Sequence, residues 1–239
     1  DLVGQVAAAG FVVEAVDDPI RYVIQSELVA NEELPRMKSD PRVSAILDRP
    51  LVGVEHFRHE KGGILMHHTR ASQLQMAAGM DHIIDYDGRV DIDVDTREDW
   101  ARTTVVAHLH PGETLRLVKF LAYGWSSLRS RPSLRDQVAA ALSSARYSGW
   151  EGLLAEQREY LDEFWDSADV QVEGDAEIQQ AVRFGLFHVL QAGARAERRG
   201  IPAKGLTGPG YDGHTFWDTE GFVLPLLTYT QPKAAADVI

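Results

Sequence analysis

The 239-residue chain contains no cysteine, so it has neither a disulfide nor a thiolate-based metal or redox site, as expected in a reducing compartment. No apolar run approaches the roughly 18 residues that a membrane span needs. The basic start and apolar stretch that are typical of a signal peptide are also missing. We therefore expect a cytoplasmic protein with no membrane partner.

Positive charge is scarce as well. Lys and Arg number 24 against 36 Asp and Glu, which gives a net charge of −12, and no basic run occurs. Such a chain would repel a phosphate backbone, so we expect no nucleic-acid partner. The length and the 44% hydrophobic content suit one large or two modest soluble globular domains.

The first half of the chain has the pattern of antiparallel strands. β-Rich runs cover residues 11–16 and 20–29. Asp87-Gly88 is typical of a type I′ turn and predicts a tight hairpin. Several strands at this spacing predict a β-sandwich. A second hairpin is predicted from the runs at residues 103–110 and 114–123, which flank a turn at residues 111–113.

In the second half the apolar residues recur at helical spacing. Ser133 and Asp136 resemble a capping box at the start of a first helix, and Gly149 is predicted to end that helix. A second helix is predicted after this break. A third is predicted over residues 175–199, with Gly200 placed to terminate it. Its apolar stripe consists of Ile178, Val182, Leu186, Val189, Leu190 and Gly193.

The most informative stretch is residues 205–225, where glycines permit positive φ and close approach of a ligand to the backbone. It leads directly into Phe216, Trp217, Asp218 and Glu220. Aromatic rings can cover the apolar face of a pyranose, while carboxylates accept hydrogen bonds from its hydroxyls. The pattern indicates a sugar pocket, although an apolar anchor with first-turn acids at a helix start has the same local composition. The glycines are Gly205, Gly208, Gly210 and Gly213.

The 25 residues 201–225 resemble the start of the catalytic barrel of glycoside hydrolase family 65, the maltose, trehalose and kojibiose phosphorylases and their hydrolytic relatives. The similarity extends to residues 162–166 and to Lys119-Phe120. The fold it implies is a β-sandwich, linker helices and the opening helices of an (α/α)6 barrel, over residues 1–130, 131–165 and 166–239 respectively.

The resemblance also implies an activity. An enzyme of this kind is an inverting α-glucoside (disaccharide) phosphorylase that forms β-glucose 1-phosphate, uses inorganic phosphate as co-substrate, needs no cofactor and is a homodimer at full length. Its general acid, a glutamate, would lie downstream of this chain, so no catalytic residue is assigned and the chain alone is expected to be inactive. Trp217 and Asp218 would bind glucose, and Tyr211, His214 and Glu220 are further substrate-binding candidates. A trehalase-like α-glucoside hydrolase and a non-catalytic carbohydrate-binding or scaffold module are the alternatives.

Two other sets of residues have metal-ligand chemistry, but neither predicts a metal site. Asp91, Asp93 and Asp95 lack the Gly and Glu of a calcium loop and alternate with aliphatic residues as on a strand. The histidine pairs have no HEXXH motif beside them: His56/His59, His67/His68 and His108/His110. The tryptophans outside the signature are predicted to be core residues: Trp100, Trp125, Trp150 and Trp165.

Both ends of the chain are expected to be cut from a longer protein. Asp1 opens the sequence without a methionine, and residues 232–239 begin a helix. An incomplete barrel would leave apolar faces exposed. The faces concerned are residues 178–193 and 222–227.

Overall fold

The computed structural model describes residues 5–32, 49–193, 200–205 and 210–238. These residues divide between two compact units, one ending at residue 155 and the other beginning at residue 156. The first unit is built mainly from strands and the second from helices.

The first unit contains two antiparallel sheets. The larger sheet has five strands in the order β1-β8-β5-β4-β3, and the smaller has three in the order β2-β7-β6. Contacts of β4 with β6 and β7, and of β3 with β6, bring the sheets face to face, which confirms the predicted β-sandwich. The strands are β1 (Gln5–Glu14), β2 (Ile20–Val29), β3 (Leu51–His59), β4 (Gly62–Thr69), β5 (Gln75–Asp85), β6 (Val90–Arg97), β7 (Trp100–Leu109) and β8 (Thr114–Ser126).

Both hairpins predicted from turn signals are wrong, because each connection crosses from one sheet to the other. Strand β5 belongs to the five-stranded sheet, whereas β6 pairs with β7 in the three-stranded sheet. Likewise, β7 pairs with β2 and β6, while β8 pairs with β1 and β5. The two loops are therefore arches between the layers of the sandwich.

The glycines of these arches have roles other than a type I′ turn. A Cβ atom at Gly88 would lie 2.5 Å from the ring of Tyr86, whose hydroxyl donates to the Glu113 carboxylate at 2.7 Å. Gly112 has a φ of 83°, in the left-handed region that favours glycine, and its N–H donates to the Ala15 carbonyl at 2.8 Å. Residue types that suit a hairpin thus also suit an arch.

Helix α1 (Arg131–Ala168) begins in the first unit and continues into the second. The Ser130 hydroxyl accepts a hydrogen bond from the Ser133 N–H at 3.4 Å, so the helix starts earlier than the Ser133 cap predicted from the sequence. Gly149, with φ 68° and ψ −178°, interrupts the helix and confirms the predicted break. The buried face of α1 before this break packs against the five-stranded sheet through Leu134, Val138, Leu142 and Ala145.

A buried polar network joins α1 to the sandwich. Asp81 is completely buried and accepts hydrogen bonds from the Arg146 guanidinium and the Lys61 N–H, both at 3.0 Å. His82, also completely buried, donates from Nδ1 to the Lys61 carbonyl at 2.7 Å, and its Nε2 accepts from the Ser26 hydroxyl at 2.8 Å. Burial lowers the pKa of His82, so the neutral ring is favoured. These buried polar side chains all have protein partners.

Trp100 is not a core residue. Its ring is half-buried and lies close to two arginines, with the guanidinium carbons of Arg97 and Arg102 at 5.4 and 4.4 Å from the ring centroid. Its indole N–H donates to the Glu27 carboxylate at 3.2 Å. The prediction of a core position is therefore wrong for Trp100, whereas Trp150, on α1, packs against the core between α1 and the five-stranded sheet.

The second unit contains the end of α1 and three further helices, α2 (Ala176–Gly193), α3 (Leu224–Thr230) and α4 (Pro232–Val238). The Asp175 carboxylate caps α2 by accepting hydrogen bonds from two first-turn N–H groups at 3.0 and 3.1 Å. Arg183 on α2 donates two hydrogen bonds to Asp169, and these hold the pKa of that carboxyl below its usual range. The predicted end of this helix falls on residues 194–199, outside the described residues.

The apolar stripe of α2 is only partly exposed. Leu186, Leu190 and Gly193 are buried within the unit, and so is Leu227 of α3, so the expectation of an uncovered face is wrong for these residues. Ile178 is exposed as expected. None of the helices in the described ranges is both long and apolar enough to cross a membrane. The large exposed aromatic side chains among the described residues of this unit are Phe184, Phe216, Trp217, Phe222 and Tyr229.

Candidate functional site

The signature residues lie beside a cavity of about 520 Å³ within the second unit. This volume falls within the range of ligand pockets, about 300–1,000 Å³. One wall is the C-terminal half of α2, and the other comes from residues 201–205 and from the segment between Tyr211 and Val223. The lining is largely apolar, and its polar side chains are His188, Gln191, Lys204, Tyr211, Asp218 and Thr219.

Backbone hydrogen bonds hold the two signature segments together. The Ala203 N–H donates to the His214 carbonyl at 3.0 Å, and the His214 N–H donates to the Tyr211 carbonyl at 3.0 Å. The segments on either side of the undescribed residues 206–209 therefore form one wall. Gly208, one of the predicted loop glycines, lies outside the described residues.

Tyr211 has an unusual backbone conformation in this wall. Its φ is 58°, in the left-handed region that bulky side chains rarely adopt. It lies in a short 3₁₀ turn, Gly210–Gly213, and its ring meets Phe216 edge to face with centroids 5.4 Å apart. Such a conformation costs on the order of 1–3 kcal/mol and is concentrated at functional sites. Tyr211 thus combines a strained backbone with a position in the cavity wall.

Asp218 lines the cavity at the start of a π-helical turn, Thr219–Val223. π-Helical turns are rare and often occur at functional sites. The Asp218 carboxylate caps no backbone N–H and makes no hydrogen bond or ion pair within the part of the chain that the structure describes. It is exposed, and its oxygens are available to accept hydrogen bonds from a ligand.

The structure brings Tyr211 and Asp218 together but leaves the other predicted site residues outside the cavity lining. Trp217 is 74% exposed. Glu220 is exposed in the π-helical turn, and the exposed His214 holds the loop through its backbone groups. Sugar binding by Trp217, His214 and Glu220 stays a prediction.

Sequence reasoning missed two polar residues on α2, His188 and Gln191, which line the same cavity. They are three residues apart and therefore share a helix face. The His188 ring meets Phe184 and Phe187 edge to face, with centroids 4.3 and 6.0 Å away. Polar residues on an amphipathic helix usually face solvent, so only the approach of residues 201–205 to α2 reveals that these two line a cavity.

Among the residues that the structure describes, no group of three His, Asp or Glu side chains could hold a metal ion. Two of the paired histidines bond to other side chains. His67 is buried, and its Nε2 lies 2.9 Å from an Asp99 oxygen. His56 Nδ1 lies 3.1 Å from the Thr96 hydroxyl. Both sets of contacts lie in the sandwich and stabilise its strands.

Family models match most of the chain. Residues 4–164 match the N-terminal domain of glycosyl hydrolase family 65, and residues 183–239 match the central catalytic domain of that family. The chain belongs to glycosyl hydrolase family 65. The residues lining the cavity fall within the part of this family 65 chain that matches the catalytic domain.

Several relatives are similar to this family 65 chain. An uncharacterized glycosyl hydrolase of Mycobacterium tuberculosis is 69% identical over 98% of this chain and 30% of its own length. An α,α-trehalose phosphorylase of Thermoanaerobacter brockii is 33% identical over 74% of this chain and 23% of its own length. A kojibiose phosphorylase of Escherichia coli is 36% identical over 56% of this chain and 18% of its own length. The family 65 chain thus spans 30% or less of the length of these relatives.

A solved structure from the human microbiome, provisionally named a kojibiose phosphorylase, has a TM-score of 0.83 to this family 65 chain. The match covers 98% of this chain and 29% of the other, at 21% identity. It confirms the fold, antiparallel sheets of a β-sandwich followed by helices.

Proposed function

We propose that this chain provides part of the glucose-binding subsite of an inverting α-glucoside (disaccharide) phosphorylase. The observation that supports this most directly is the cavity of about 520 Å³ beside Asp218, a carboxylate with no partner among the described residues. The relatives named as trehalose and kojibiose phosphorylases support the choice of a disaccharide as the substrate class.

In this subsite the signature residues divide the recognition of glucose. Asp218 accepts hydrogen bonds from two hydroxyls, each worth about 1.5–3 kcal/mol because the acceptor is charged. The Tyr211 ring, already fixed in the wall, contacts the apolar C–H groups of the sugar. Trp217 is exposed beside the cavity and packs against the sugar from outside it.

The proposed reaction breaks the bond between the anomeric carbon and the bridging oxygen. An oxygen of inorganic phosphate forms the new bond from the opposite face, so an α-linkage yields β-glucose 1-phosphate. A glutamic acid outside this chain gives its proton to the leaving oxygen. Phosphate is thus a co-substrate and no cofactor is needed. We further propose that the full-length enzyme is a homodimer and that the 239-residue chain alone is inactive.

Hydrolysis is the alternative within the family. An inverting glycosidase places a base-activated water where phosphate would otherwise attack. Because the glucose subsite is the same in both reactions, the described residues serve either one. A non-catalytic carbohydrate-binding module would use the cavity without turnover.

The test is an assay of the full-length protein carrying this chain with maltose, trehalose, kojibiose and nigerose, each with and without phosphate. Formation of β-glucose 1-phosphate that requires phosphate supports the proposal. Release of glucose without phosphate would instead identify a hydrolase. Absence of turnover with sugar binding retained would identify a binding module.

A further inference from the structure

We propose that His188 is a second sugar-binding residue of this subsite, and that its imidazole hydrogen-bonds a hydroxyl of the glucosyl ring. The inference rests on the proposed function, since it takes the cavity beside Asp218 to be the glucose subsite. It adds α2, an element that precedes the signature segment, to the groups that recognise the substrate.

The position of His188 supports this role. It lines the cavity from α2, whereas Asp218 lines it from the start of the π-helical turn. A sugar in the cavity would therefore meet polar groups from two separate elements. Recognition by groups on separate elements fixes the orientation of a ligand that a single carboxylate leaves free to rotate.

The imidazole of His188 contacts two aromatic rings of its own helix. The Phe184 ring meets it at an interplanar angle of 77° and the Phe187 ring at 66°. A side chain that is already ordered loses little conformational freedom on binding. Contacts with the two phenylalanine rings thus restrict the imidazole of His188, which lines the cavity.

The hydrogen-bonding capacity of His188 is unused. The ring is half-buried, and neither nitrogen has a hydrogen-bond partner among the residues in the described ranges. By contrast, His67 and His82 in the sandwich both bond to other protein groups. A partly buried polar group without a protein partner is available to water or to a ligand.

A neutral imidazole suits a hydroxyl because it carries one donor and one acceptor nitrogen. A hydroxyl can also donate and accept, so one sugar hydroxyl can bond to either ring nitrogen. A site that bonds a particular hydroxyl discriminates strongly against an analogue that lacks it. His188 would therefore make the subsite selective for the configuration of the glucosyl ring at one carbon.

The experiment compares the full-length wild-type protein with His188→Ala. The substrates are the disaccharide that the wild type cleaves and its four derivatives lacking one hydroxyl of the glucosyl ring. We expect His188→Ala to lower kcat/KM for the parent disaccharide about tenfold, the loss of one hydrogen bond. With the wild type, one of the deoxy derivatives should show a similar drop in kcat/KM relative to the parent disaccharide. With His188→Ala, the same derivative should have nearly the kcat/KM of the parent disaccharide. Such coupling to a single hydroxyl would not arise from a merely structural role.

Two further variants make the outcome decisive. His188→Gln keeps a donor and an acceptor and should recover part of the lost activity; it also replaces His188→Ala if that variant does not fold. His108→Ala, at an exposed histidine of the sandwich, is the matched control and should behave as wild type. If no disaccharide is cleaved, calorimetric binding of glucose and its deoxy derivatives replaces kcat/KM in the same comparison.

The Asp218→Asn variant separates the two proposals. If Asp218→Asn loses activity while His188→Ala keeps wild-type values and the wild-type pattern with the deoxy sugars, the role of His188 is wrong and the subsite stands. If both variants keep wild-type values, the cavity is not the glucose subsite and the proposed function of these residues fails with it.

Discussion

Three buried side chains of the sandwich and two side chains beside the cavity of the helical unit differ in their hydrogen bonding. In the sandwich, the buried residues Asp81, His67 and His82 all bond to other protein groups. In the helical unit, Asp218 and His188 line a cavity and have no hydrogen-bond partner among the described residues. Polar groups with protein partners stabilise the fold, whereas those without partners beside a cavity are available to a ligand.

Some aromatic side chains of the two units also differ in exposure. Phe120 is completely buried in the sandwich, and Trp150 packs over the backbone of Gly10 with ring atoms 3.7 Å from a Cβ position there. In the helical unit, Trp217 and Phe222 are 74% and 72% exposed. A substitution at Phe120 should therefore affect stability, whereas one at an exposed ring such as Trp217 should affect stability little.

The largest effect is expected from breaking the buried network of the sandwich. Arg146→Met leaves the Asp81 carboxylate completely buried without its cation, which should lower the free energy of unfolding by about 3 kcal/mol. Urea denaturation measures this change. Arg135→Met, which removes the exposed ion pair with Asp136, is the matched control and should cost at most about 1 kcal/mol. Equal costs for the two variants would show that the buried Asp81–Arg146 pair contributes no more to stability than an exposed ion pair.

The second-largest effect is expected from Asp218→Asn, which should lower activity without changing stability. Asp218→Asn keeps the size of the side chain and removes its charge, so it should lower kcat/KM of the full-length enzyme by on the order of 10²-fold, from roughly two charge-assisted hydrogen bonds. Because the Asp218 carboxylate has no partner among the described residues, the free energy of unfolding should change by less than about 0.5 kcal/mol.

Asp93→Asn is the matched control for this variant. Asp93 is exposed on β6 in the sandwich, so the same chemical change should leave both activity and stability unaltered. Near-normal activity of a folded Asp218→Asn enzyme would make Asp218 a structural residue and refute the site assignment.

The sequence predicted local structure better than strand pairing. Strand β2 covers the residues 20–29 that were expected, and the break at Gly149 was also expected. The partners of the strands were not, because Asp87-Gly88 suits an arch as well as a hairpin. The choice between them depends on which apolar faces meet across the sandwich, and that is a property of residues distant in the sequence.

The candidate site shows the same limit. Tyr211 and Asp218 were found because they lie in one contiguous signature, whose composition matches its chemistry. His188 lies in the preceding helix, and its contribution depends on the approach of residues 201–205. Nothing in the helical period of α2 distinguishes a histidine that faces solvent from one that faces a cavity.

The pH dependence of stability tests the contribution of the buried His82 to the sandwich. Burial holds the pKa of His82 below its unfolded value, so the unfolded chain binds the proton more readily than the folded one. As pH falls below the unfolded pKa of about 6.5, stability should therefore decrease, by up to about 1.4 kcal/mol per pH unit, until the folded pKa is reached. Above about pH 6.5 this contribution is constant.

Urea denaturation at a series of pH values measures this dependence. His82→Gln cannot be protonated and should show a flatter profile in this range than the wild type, although its stability at neutral pH is lower. The charges of Lys119, Lys61 and Asp81 also act on His82. Parallel profiles for the two proteins would show that His82 does not control the acid sensitivity of the sandwich.

The smallest effect on stability is expected at Trp217. With 74% of its surface exposed, Trp217→Ala should change the free energy of unfolding by less than about 0.5 kcal/mol, although it removes the largest side chain of the signature. If the ring packs against bound sugar, kcat/KM should fall up to about tenfold, as expected for an aromatic contact of about 0.5–1.5 kcal/mol. Phe222→Ala, at a similarly exposed ring in the π-helical turn, is the matched control and should alter neither quantity. Equal kcat/KM values for the two variants would mean that Trp217 does not contact the sugar. The proposed glucose subsite would then consist of the cavity-lining residues alone.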